Sequence, residues 1–401
     1  MQRRLYLDNS ATSFPKPDAV HEAMAHYGRA VGASAGRGAY AEARQSGEII
    51  ACCRGRLARL FNARQPESFI FTLNATDALN LAIKGLLRPG DHAITTWMEH
   101  NSVLRPLNAL RERIGVETTF VRCDPKTGLV DPDDIRRAVQ PKTRLIAAVH
   151  ASNVTGTLQP IAEIGQLARE RGVFFVVDTA QSVGHVPIDV QALPVDAMGF
   201  PGHKGLLGPL GTGVLYLRPG LDEHLDTLRE GGTGSMSEQA EQPTFLPDRY
   251  EAGSHNAIGI AGLDASLNYL LDRGIDALRQ HEERLMEQFL DAVSRVDGLS
   301  VYGPTVLADR VGVFSVRVRG LEPAELSAAM ESRFGILTRS GLHCAPLAHR
   351  TIGTLETGGT TRLSLGPFVT SEDVTRTVDA LAAIASAFGM TTVEKRDGLA
   401  L

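Results

Sequence analysis

The stretch Val173-Phe174-Phe175-Val176-Val177-Asp178 decides the fold class, because it is a short strand pattern that is apolar on both faces and ends in a carboxylate. Similar short runs recur through the first two-thirds of the chain, with helical patterns between them. Strands that are apolar on both faces and alternate with helices are typical of a parallel sheet covered on two sides. The sequence therefore predicts an α/β fold with a large, mostly parallel sheet.

The predicted elements surround this strand in both directions along the chain. Strands are predicted at 68–72, 92–97, 117–122, 144–150, 173–178, 196–200 and 213–217, and helices at 77–87, 103–114, 131–139 and 161–171. After Leu217 the pattern changes: an irregular stretch at 229–256 precedes a long helical pattern at 258–297 and then a mixture of strands and helices. We predict an N-terminal segment (1–20) that packs with a small α+β domain (257–401), and a large domain (21–256).

Composition excludes several classes of protein. The 401 residues are 43% hydrophobic and 22% charged with a net charge of −5, which gives no electrostatic reason to expect nucleic acid or an anionic membrane as a partner. The first residues lack the apolar segment of a secretory signal. The four cysteines form no CxxC pair, and no metal-ligand spacing is recognisable. We expect a soluble cytoplasmic protein with reduced thiols and no metal site.

Five polar clusters follow five of the predicted strands. They are Asn74-Ala75-Thr76-Asp77, Glu99-His100-Asn101, His150-Ala151-Ser152-Asn153, Asp178 through Gln181, and Pro201-Gly202-His203-Lys204-Gly205. Ligands bind at the carboxyl edge of such a sheet, where strand ends meet. A buried lysine with a depressed pKa is a nucleophile, and a small-residue turn that opens a helix suits a phosphate. Each cluster alone has a plain structural explanation, such as helix capping or a surface turn.

Taken together, the clusters predict one site. A lysine, an aspartate, a histidine and a phosphate turn at one sheet edge point to pyridoxal 5′-phosphate (PLP) bound to Lys204, with Asp178 as partner of the ring nitrogen.

At this point the sequence resembles the class V branch of the fold-type-I PLP enzymes, and within it the cysteine desulfurases and selenocysteine lyases. The resemblance covers almost the whole chain. It includes the opening motif Tyr6-Leu7-Asp8-Asn9-Ser10-Ala11-Thr12-Ser13, the PLP clusters above, Arg339-Ser340-Gly341-Leu342-His343-Cys344-Ala345, which is similar to the catalytic-cysteine loop, and Thr361-Arg362-Leu363-Ser364.

The resemblance implies a role for each matched residue. Lys204 and Cys344 would be catalytic, as would His100, which would stack on the cofactor ring. Arg362 would bind the substrate carboxylate, a geometry that suits a bidentate guanidinium. The other cofactor contacts would be Ala75, Thr76, Asn153, Asp178, Gln181 and His203. The large domain would then bind PLP and the small domain would carry the cysteine loop.

Two further residues come from parts of the chain where the match is weaker. The segment 230–235 occupies the place where family dimers donate a loop to the neighbouring subunit's phosphate, and Thr233 is our choice for that contact. Arg37 resembles an active-site arginine that contacts substrate, and Asn153 would contact substrate as well as cofactor. Pro201 stands where the family often has a serine. The resemblance also implies a homodimer.

The implied activity is conversion of L-cysteine to L-alanine, with the sulfur held as a persulfide on Cys344 before it passes to an acceptor protein. His343 or Arg362 would lower the pKa of the Cys344 thiol. Other PLP chemistry on the same scaffold stays open: selenocysteine lyase, another C–S lyase or a class V aminotransferase. A non-catalytic sulfur-relay scaffold is the alternative from a different class.

Overall fold

The structure, a computed structural model, describes residues 4–36 and 38–397, with side chains described through residue 388. The strands are β1 (Leu5–Tyr6), β2 (Phe69–Thr72), β3 (His92–Thr96), β4 (Glu117–Val121), β5 (Thr143–Val149), β6 (Phe174–Asp178), β7 (Ala197–Pro201), β8 (Gly213–Leu217), β9 (Leu299–Tyr302), β10 (Val313–Val318), β11 (Ile336–Leu337), β12 (Arg339–Gly341) and β13 (Thr360–Ser364). The α-helices are α1 (Asp18–His26), α2 (Ala41–Leu60), α3 (Ala75–Leu86), α4 (Asn101–Ile114), α5 (Pro132–Ala138), α6 (Ile161–Arg171), α7 (Ala257–Arg273), α8 (Ile275–Val293), α9 (Pro323–Phe334), α10 (Pro346–Thr351) and α11 (Ser371–Asp397).

Within the described residues, the main sheet has seven strands in the order β2-β8-β7-β6-β5-β3-β4. The strands from β7 to β4 run parallel to one another, and β8 is antiparallel to both β7 and β2. The central strands are buried on both faces between helices, as their continuous apolar patterns require. This confirms the α/β fold with a large, mostly parallel sheet.

The long helical pattern predicted over 258–297 forms two consecutive helices, α7 and α8. Gly274 separates α7 from α8 with φ at +78°, a left-handed conformation that ends a helix and that glycine adopts without steric cost. The apolar side chains of α7, such as Leu263 and Leu267, belong to the core of the main sheet. Those of α8, such as Met286 and Phe289, belong to the second core. The domain boundary at 257 stays a prediction, and this packing favours one near Gly274.

A smaller four-stranded sheet of described residues, β12-β13-β10-β9, forms the second core with α8, α9 and α11. The N-terminal strand β1 pairs in parallel with β11 beside it, and Leu5 and Leu7 are buried in the same core. The residues after β1 then cross to the main sheet, where Ser13 donates its backbone N–H to the carbonyl of His203 at 2.9 Å. The N-terminal segment therefore contacts both cores.

Two features are absent from the residues that the structure describes. No helix in that part of the chain is long and apolar enough to cross a membrane. In the same ranges, no three His, Cys, Asp or Glu side chains lie close enough together to hold a metal ion.

Candidate active site

The candidate site lies where the parallel strands of the main sheet end. A cavity of about 100 Å³ opens at the carboxyl ends of β5, β6 and β7. The polar side chains that line it, here called the lysine cavity, are Asn74, Thr76, His100, Ser102, Asn153, Asp178, Gln181, His203 and Lys204. All five predicted clusters therefore meet in one place, because the ends of parallel strands share one edge of a sheet.

The turn after β7 sets the position of Lys204. A Cβ atom on Gly202 would lie 2.2 Å from Oγ1 of Thr212, and one on Gly205 would lie 2.1 Å from the carbonyl of Val183. Only glycine fits at these two approaches, so the chain turns tightly against β8 and the loop after β6. This holds Lys204 at the floor of the lysine cavity.

Lys204 and Asp178 form the charged centre of the lysine cavity. Burial lowers the pKa of Lys204 to about 8, with Asp178 raising it and Arg362 lowering it further. Burial has the opposite effect on the carboxylic acid and raises the pKa of Asp178. Its Oδ1 accepts a hydrogen bond from the backbone N–H of Ala180 at 2.9 Å. A lysine with this pKa supplies neutral amine near neutral pH, which an exposed lysine does not.

His100 is neutral at the wall of the same cavity. Burial lowers its pKa to about 4, with Lys204 and Arg362 adding to the effect. Its Nδ1 accepts the backbone N–H of Ser102 at 3.0 Å at the start of α4, so the ring proton lies on Nε2. The Ser102 hydroxyl lies 2.8 Å from the same Nδ1 and 2.7 Å from Oγ1 of Thr76. The ring is therefore fixed in orientation.

The predicted phosphate turn opens helix α3. Asn74 caps the helix by accepting the N–H of Asp77 at 2.9 Å, and Ala75 and Thr76 line the cavity beside it. Helix N-termini favour anions, because their first N–H groups lack partners within the helix. His203 lies nearby with a buried Nδ1 that has no hydrogen-bond partner, and its pKa is lowered to about 4 by burial first and by Lys204 next.

Two amides face the cavity from neighbouring strand ends. The Gln181 amide donates to the carbonyl of Ser10 at 2.9 Å, which connects the turn after β6 to the N-terminal segment. The Asn153 amide donates to the carbonyl of His343 at 2.6 Å, while its Oδ1 is buried without a partner. Asn153 thus links the cavity to the cysteine loop (residues 341–345).

Cys344 is exposed on the cysteine loop, between β12 and α10. His343 and Cys344 both have left-handed backbones, with φ of +49° and +58°, and such non-glycine residues cost on the order of 1–3 kcal/mol each. The loop is held against the cavity by the bond from Asn153 and by the N–H of Asn101, which donates to the Cys344 carbonyl at 2.8 Å. Strain held by contacts on both sides is typical of functional loops.

His343 points into the protein beside the exposed Cys344. His343 is buried, its Nε2 lies 3.2 Å from Oγ1 of Thr360, and burial, with Arg362 next, lowers its pKa to about 2. Burial therefore favours the neutral imidazole of His343. Its predicted effect on the Cys344 thiol stays a prediction. The His343 ring packs against His349, with centroids 5.4 Å apart.

Arg362 lies on β13 beside the cavity and is only 3% exposed. Its Nη2 donates to Oδ1 of Asp8 at 2.8 Å, and its Nη1 donates to the carbonyl of Asn153 at 3.2 Å. The Nε atom is buried, and no side chain or backbone group in the described part of the chain forms a hydrogen bond with it. Asp8 belongs to the opening motif, but the sequence by itself predicts no role for its side chain.

Of the predicted site residues that the structure describes, Arg362, Cys344 and Thr233 are not among those that line the lysine cavity. Thr233 lies in the 229–256 segment, where its hydroxyl contacts Ser235 at 3.0 Å. Arg37 lies outside the described residues. Conversely, Ser102 and the backbone of Asn101 belong to the site and were missed. Their signal was their position directly after His100, in the first turn of a helix that begins at a strand end.

Proteins similar to this chain in sequence and in shape are named cysteine desulfurases. A probable cysteine desulfurase from Methanothermobacter thermautotrophicus is 37% identical over 93% of this chain and 93% of its own length. A cysteine desulfurase from Escherichia coli is 35% identical over 94% and 93%. Among solved structures, the apo cysteine desulfurase from Thermococcus onnurineus is similar with a TM-score of 0.89 and 31% identity, covering 96% of this chain and 95% of that one.

The architecture is the fold-type-I fold of PLP-dependent enzymes, as these neighbours share it. The family model for aminotransferase class-V matches residues 5–377, and the chain belongs to that family. This confirms the resemblance found in the sequence.

Proposed function

We propose that this protein is a PLP-dependent cysteine desulfurase that converts L-cysteine to L-alanine and holds the sulfur as a persulfide on Cys344. The observation that carries the proposal is that Asn101 and Asn153 hold the backbone of the loop that carries the exposed Cys344 thiol at the rim of the lysine cavity. An aminotransferase has no use for a thiol in that place. The names of the relatives support the same activity.

The residues of the lysine cavity fit the cofactor. A buried lysine with a pKa of about 8 faces a buried aspartate, a neutral histidine lies at the wall, and the N-terminus of α3 is open to a phosphate. The unpartnered Nδ1 of His203 and Oδ1 of Asn153 are buried polar atoms that a bound ligand would satisfy. Ala75, Thr76, Gln181 and the other cavity residues would complete the cradle.

Bound in this cavity, PLP would supply an electron sink conjugated to the substrate Cα. Lys204 would bind the cofactor and then, as a free amine, remove the Cα proton. Asp178 would hold the positive charge of the ring nitrogen. Arg362 would orient the substrate carboxylate through its guanidinium donors.

Sulfur transfer would use the cysteine loop. The Cys344 thiolate would attack the substrate Sγ, forming a new S–S bond while the Cβ–Sγ bond breaks and its electron pair returns to the carbon side. Protons delivered to Cβ and Cα, the latter from Lys204, would complete L-alanine. The persulfide would wait at an exposed position, from which an acceptor protein or a thiol reductant takes the outer sulfur.

The test is product analysis with the PLP-loaded protein, L-cysteine and a thiol reductant. We expect equal amounts of sulfide and alanine, and a Cys344 peptide heavier by one sulfur atom when the reductant is left out. An absorbance change on adding amino acids without alanine or sulfide would contradict the proposal and favour an aminotransferase. Faster release of selenide from selenocysteine would favour a lyase.

We propose in addition that the protein is a homodimer in which Thr233 approaches the partner's phosphate site. Sedimentation of the purified protein as a dimer is the expected result. A Thr233→Val variant should then bind PLP more weakly and keep the same oligomeric state. A monomeric protein with full PLP affinity would contradict this assembly.

A further inference from the structure

The carboxylate of Asp8 lies between two arginines. Its Oδ1 accepts a hydrogen bond from Nη2 of Arg362 at 2.8 Å, and its Oδ2 accepts one from Nε of Arg339 at 3.2 Å. Arg362 is buried, whereas the Arg339 side chain is 51% exposed. The side chain that we propose as the substrate-carboxylate ligand therefore already holds one carboxylate of the protein itself.

The backbone around Asp8 is fixed on the sheet that carries both arginines. Asp8 forms a parallel bridge with Ser364, next to β13, and the N–H of Leu7 donates to the carbonyl of Leu337 at 2.9 Å. The hydroxyl of Tyr6 donates to the Asp8 carbonyl at 3.1 Å. The Asp8 carboxylate therefore stays beside Arg362 whether or not a substrate is bound.

Arg362 keeps donors that the protein does not use. A guanidinium has five N–H groups, and one contact to Asp8 and one to the carbonyl of Asn153 leave the rest. Its Nε is buried and has no hydrogen-bond partner among the described residues, which is costly for a charged group. An incoming carboxylate would satisfy these donors, and Asp8 restricts which of them are free.

Arg339, Arg362 and Asp8 form the proposed substrate-carboxylate subsite, and their charges cancel in part. Arg339 and Arg362 carry two positive charges, and Asp8 carries one negative charge between them. The remainder is one positive charge, which matches the single α-carboxylate of a neutral amino acid. Without Asp8, two guanidiniums would face that carboxylate and bind it more strongly.

We propose that Asp8 is a positioning residue of the substrate-carboxylate subsite: it fixes the orientation of Arg362 and neutralises one guanidinium, so that the subsite binds one α-carboxylate and still releases it. The proposal rests on the proposed function for the role of Arg362 alone. It holds for any amino-acid substrate, whatever chemistry follows.

The test compares ligand binding to the PLP-loaded protein, followed by cofactor absorbance. The probes are L-alanine and ethylamine, which differ by the carboxylate. In Asp8→Asn, the side-chain oxygen still accepts from Arg362 but the charge is gone. We expect L-alanine to bind roughly fivefold more tightly and ethylamine to bind as in wild type. KM for L-cysteine should fall without a rise in kcat.

Arg339→Gln provides the opposite change, because it removes a positive charge from the same subsite. We expect weaker binding of L-alanine by a similar factor, and in the double variant Asp8→Asn/Arg339→Gln a return towards the wild-type value. Asp18→Asn, at the exposed start of α1, is the matched control and should change nothing.

Three results would overturn the proposal. They are unchanged or weaker L-alanine binding in a folded Asp8→Asn, equal shifts for L-alanine and ethylamine, or a double variant as weak as Arg339→Gln. Should Asp8→Asn fail to fold, unchanged L-alanine binding in Arg339→Gln overturns it alone. If wild type binds L-alanine but releases no sulfide from L-cysteine, the desulfurase proposal fails, but L-alanine binding still tests the Asp8 proposal.

Discussion

The lysine cavity and the cysteine loop differ in how far their reactive side chains are exposed to solvent. The cavity is made of strand ends, its charged side chains are buried, and burial is the largest cause of the shifted pKa of Lys204, Asp178 and His100. The loop exposes Cys344 on a left-handed backbone that a few hydrogen bonds hold in place. Proton chemistry benefits from a dry, fixed environment, whereas a thiol that must pass sulfur onwards has to remain accessible.

The largest effect is expected from breaking the cavity. Lys204→Ala removes the group that we propose binds the cofactor and moves the proton, so sulfide release should fall by more than about 10⁴-fold. The absorbance band of the lysine-bound cofactor should vanish as well. Lys142→Ala, an exposed lysine paired with Glu117, is the matched control and should keep both. Wild-type activity in Lys204→Ala would show that the lysine cavity takes no part in the reaction.

Breaking only the loop should separate the two regions. Cys344→Ser should lower sulfide release by about 10³-fold, as loss of a nucleophile does when the positioning groups remain. Cofactor absorbance and its change with L-cysteine should persist, because no cavity residue is altered. Cys52→Ser, another exposed cysteine, serves as control. Cofactor loss in Cys344→Ser would show that the two regions are not separable.

The pKa of Lys204 gives a direct measure of how strongly the cavity excludes water. Burial lowers this pKa to about 8, and only the neutral amine attacks PLP. The rate at which the cofactor-free protein takes up PLP should therefore fall about tenfold per pH unit below pH 8 and level off above it. Stopped-flow absorbance across pH 6 to about 10 measures the midpoint. A midpoint near the ordinary lysine value of about 10.4 would contradict the effect of burial.

A smaller effect is expected from the strain in the loop. His343→Asn and His343→Val both lose the contact with Thr360, but asparagine tolerates a left-handed backbone and valine does not. The valine variant should therefore release sulfide roughly five- to tenfold more slowly than the asparagine variant, equivalent to about 1–1.4 kcal/mol, which lies within the cost of a left-handed backbone. Alkylation of Cys344 by iodoacetamide reports the same difference in loop order. Equal rates would mean that the backbone conformation is unimportant.

The sequence predicts the cavity better than it predicts the loop. Strand ends are visible as apolar runs that stop at a polar residue, so the sequence alone is enough to gather Asp178, Lys204 and their neighbours at one sheet edge. Main-sheet strands such as 213–217 have the predicted bounds, and others differ by one or two residues. The physical reason is that a strand buried on both faces needs a continuous run of apolar residues, and such a run is visible in the sequence.

The contacts of the cysteine loop leave no such pattern. The hydrogen bond that Asn153 donates to His343 joins residues 190 positions apart, and the one that Arg362 donates to Asp8 joins residues 354 positions apart. The sign of φ at His343 and Cys344 is also not predictable from the sequence, since positive φ is uncommon for non-glycine residues even though histidine is enriched there. The sequence predicts burial, and with it a depressed pKa, for Lys204 but not for His343. The chain neighbours of His343 are an exposed leucine and an exposed cysteine.

The pairing of the first strand with the last part of the chain has a consequence for biosynthesis. Leu5 pairs with Ile336, and Asn9 donates to the carbonyl of Ser364, across 355 positions. While the ribosome is still translating the main sheet, residues 5–9 lack their partners between positions 335 and 364, and contacts of such sequence separation form late. The nascent chain can thus complete its main sheet before Asp8 meets Arg362, so the proposed substrate-carboxylate subsite assembles only when synthesis is nearly finished.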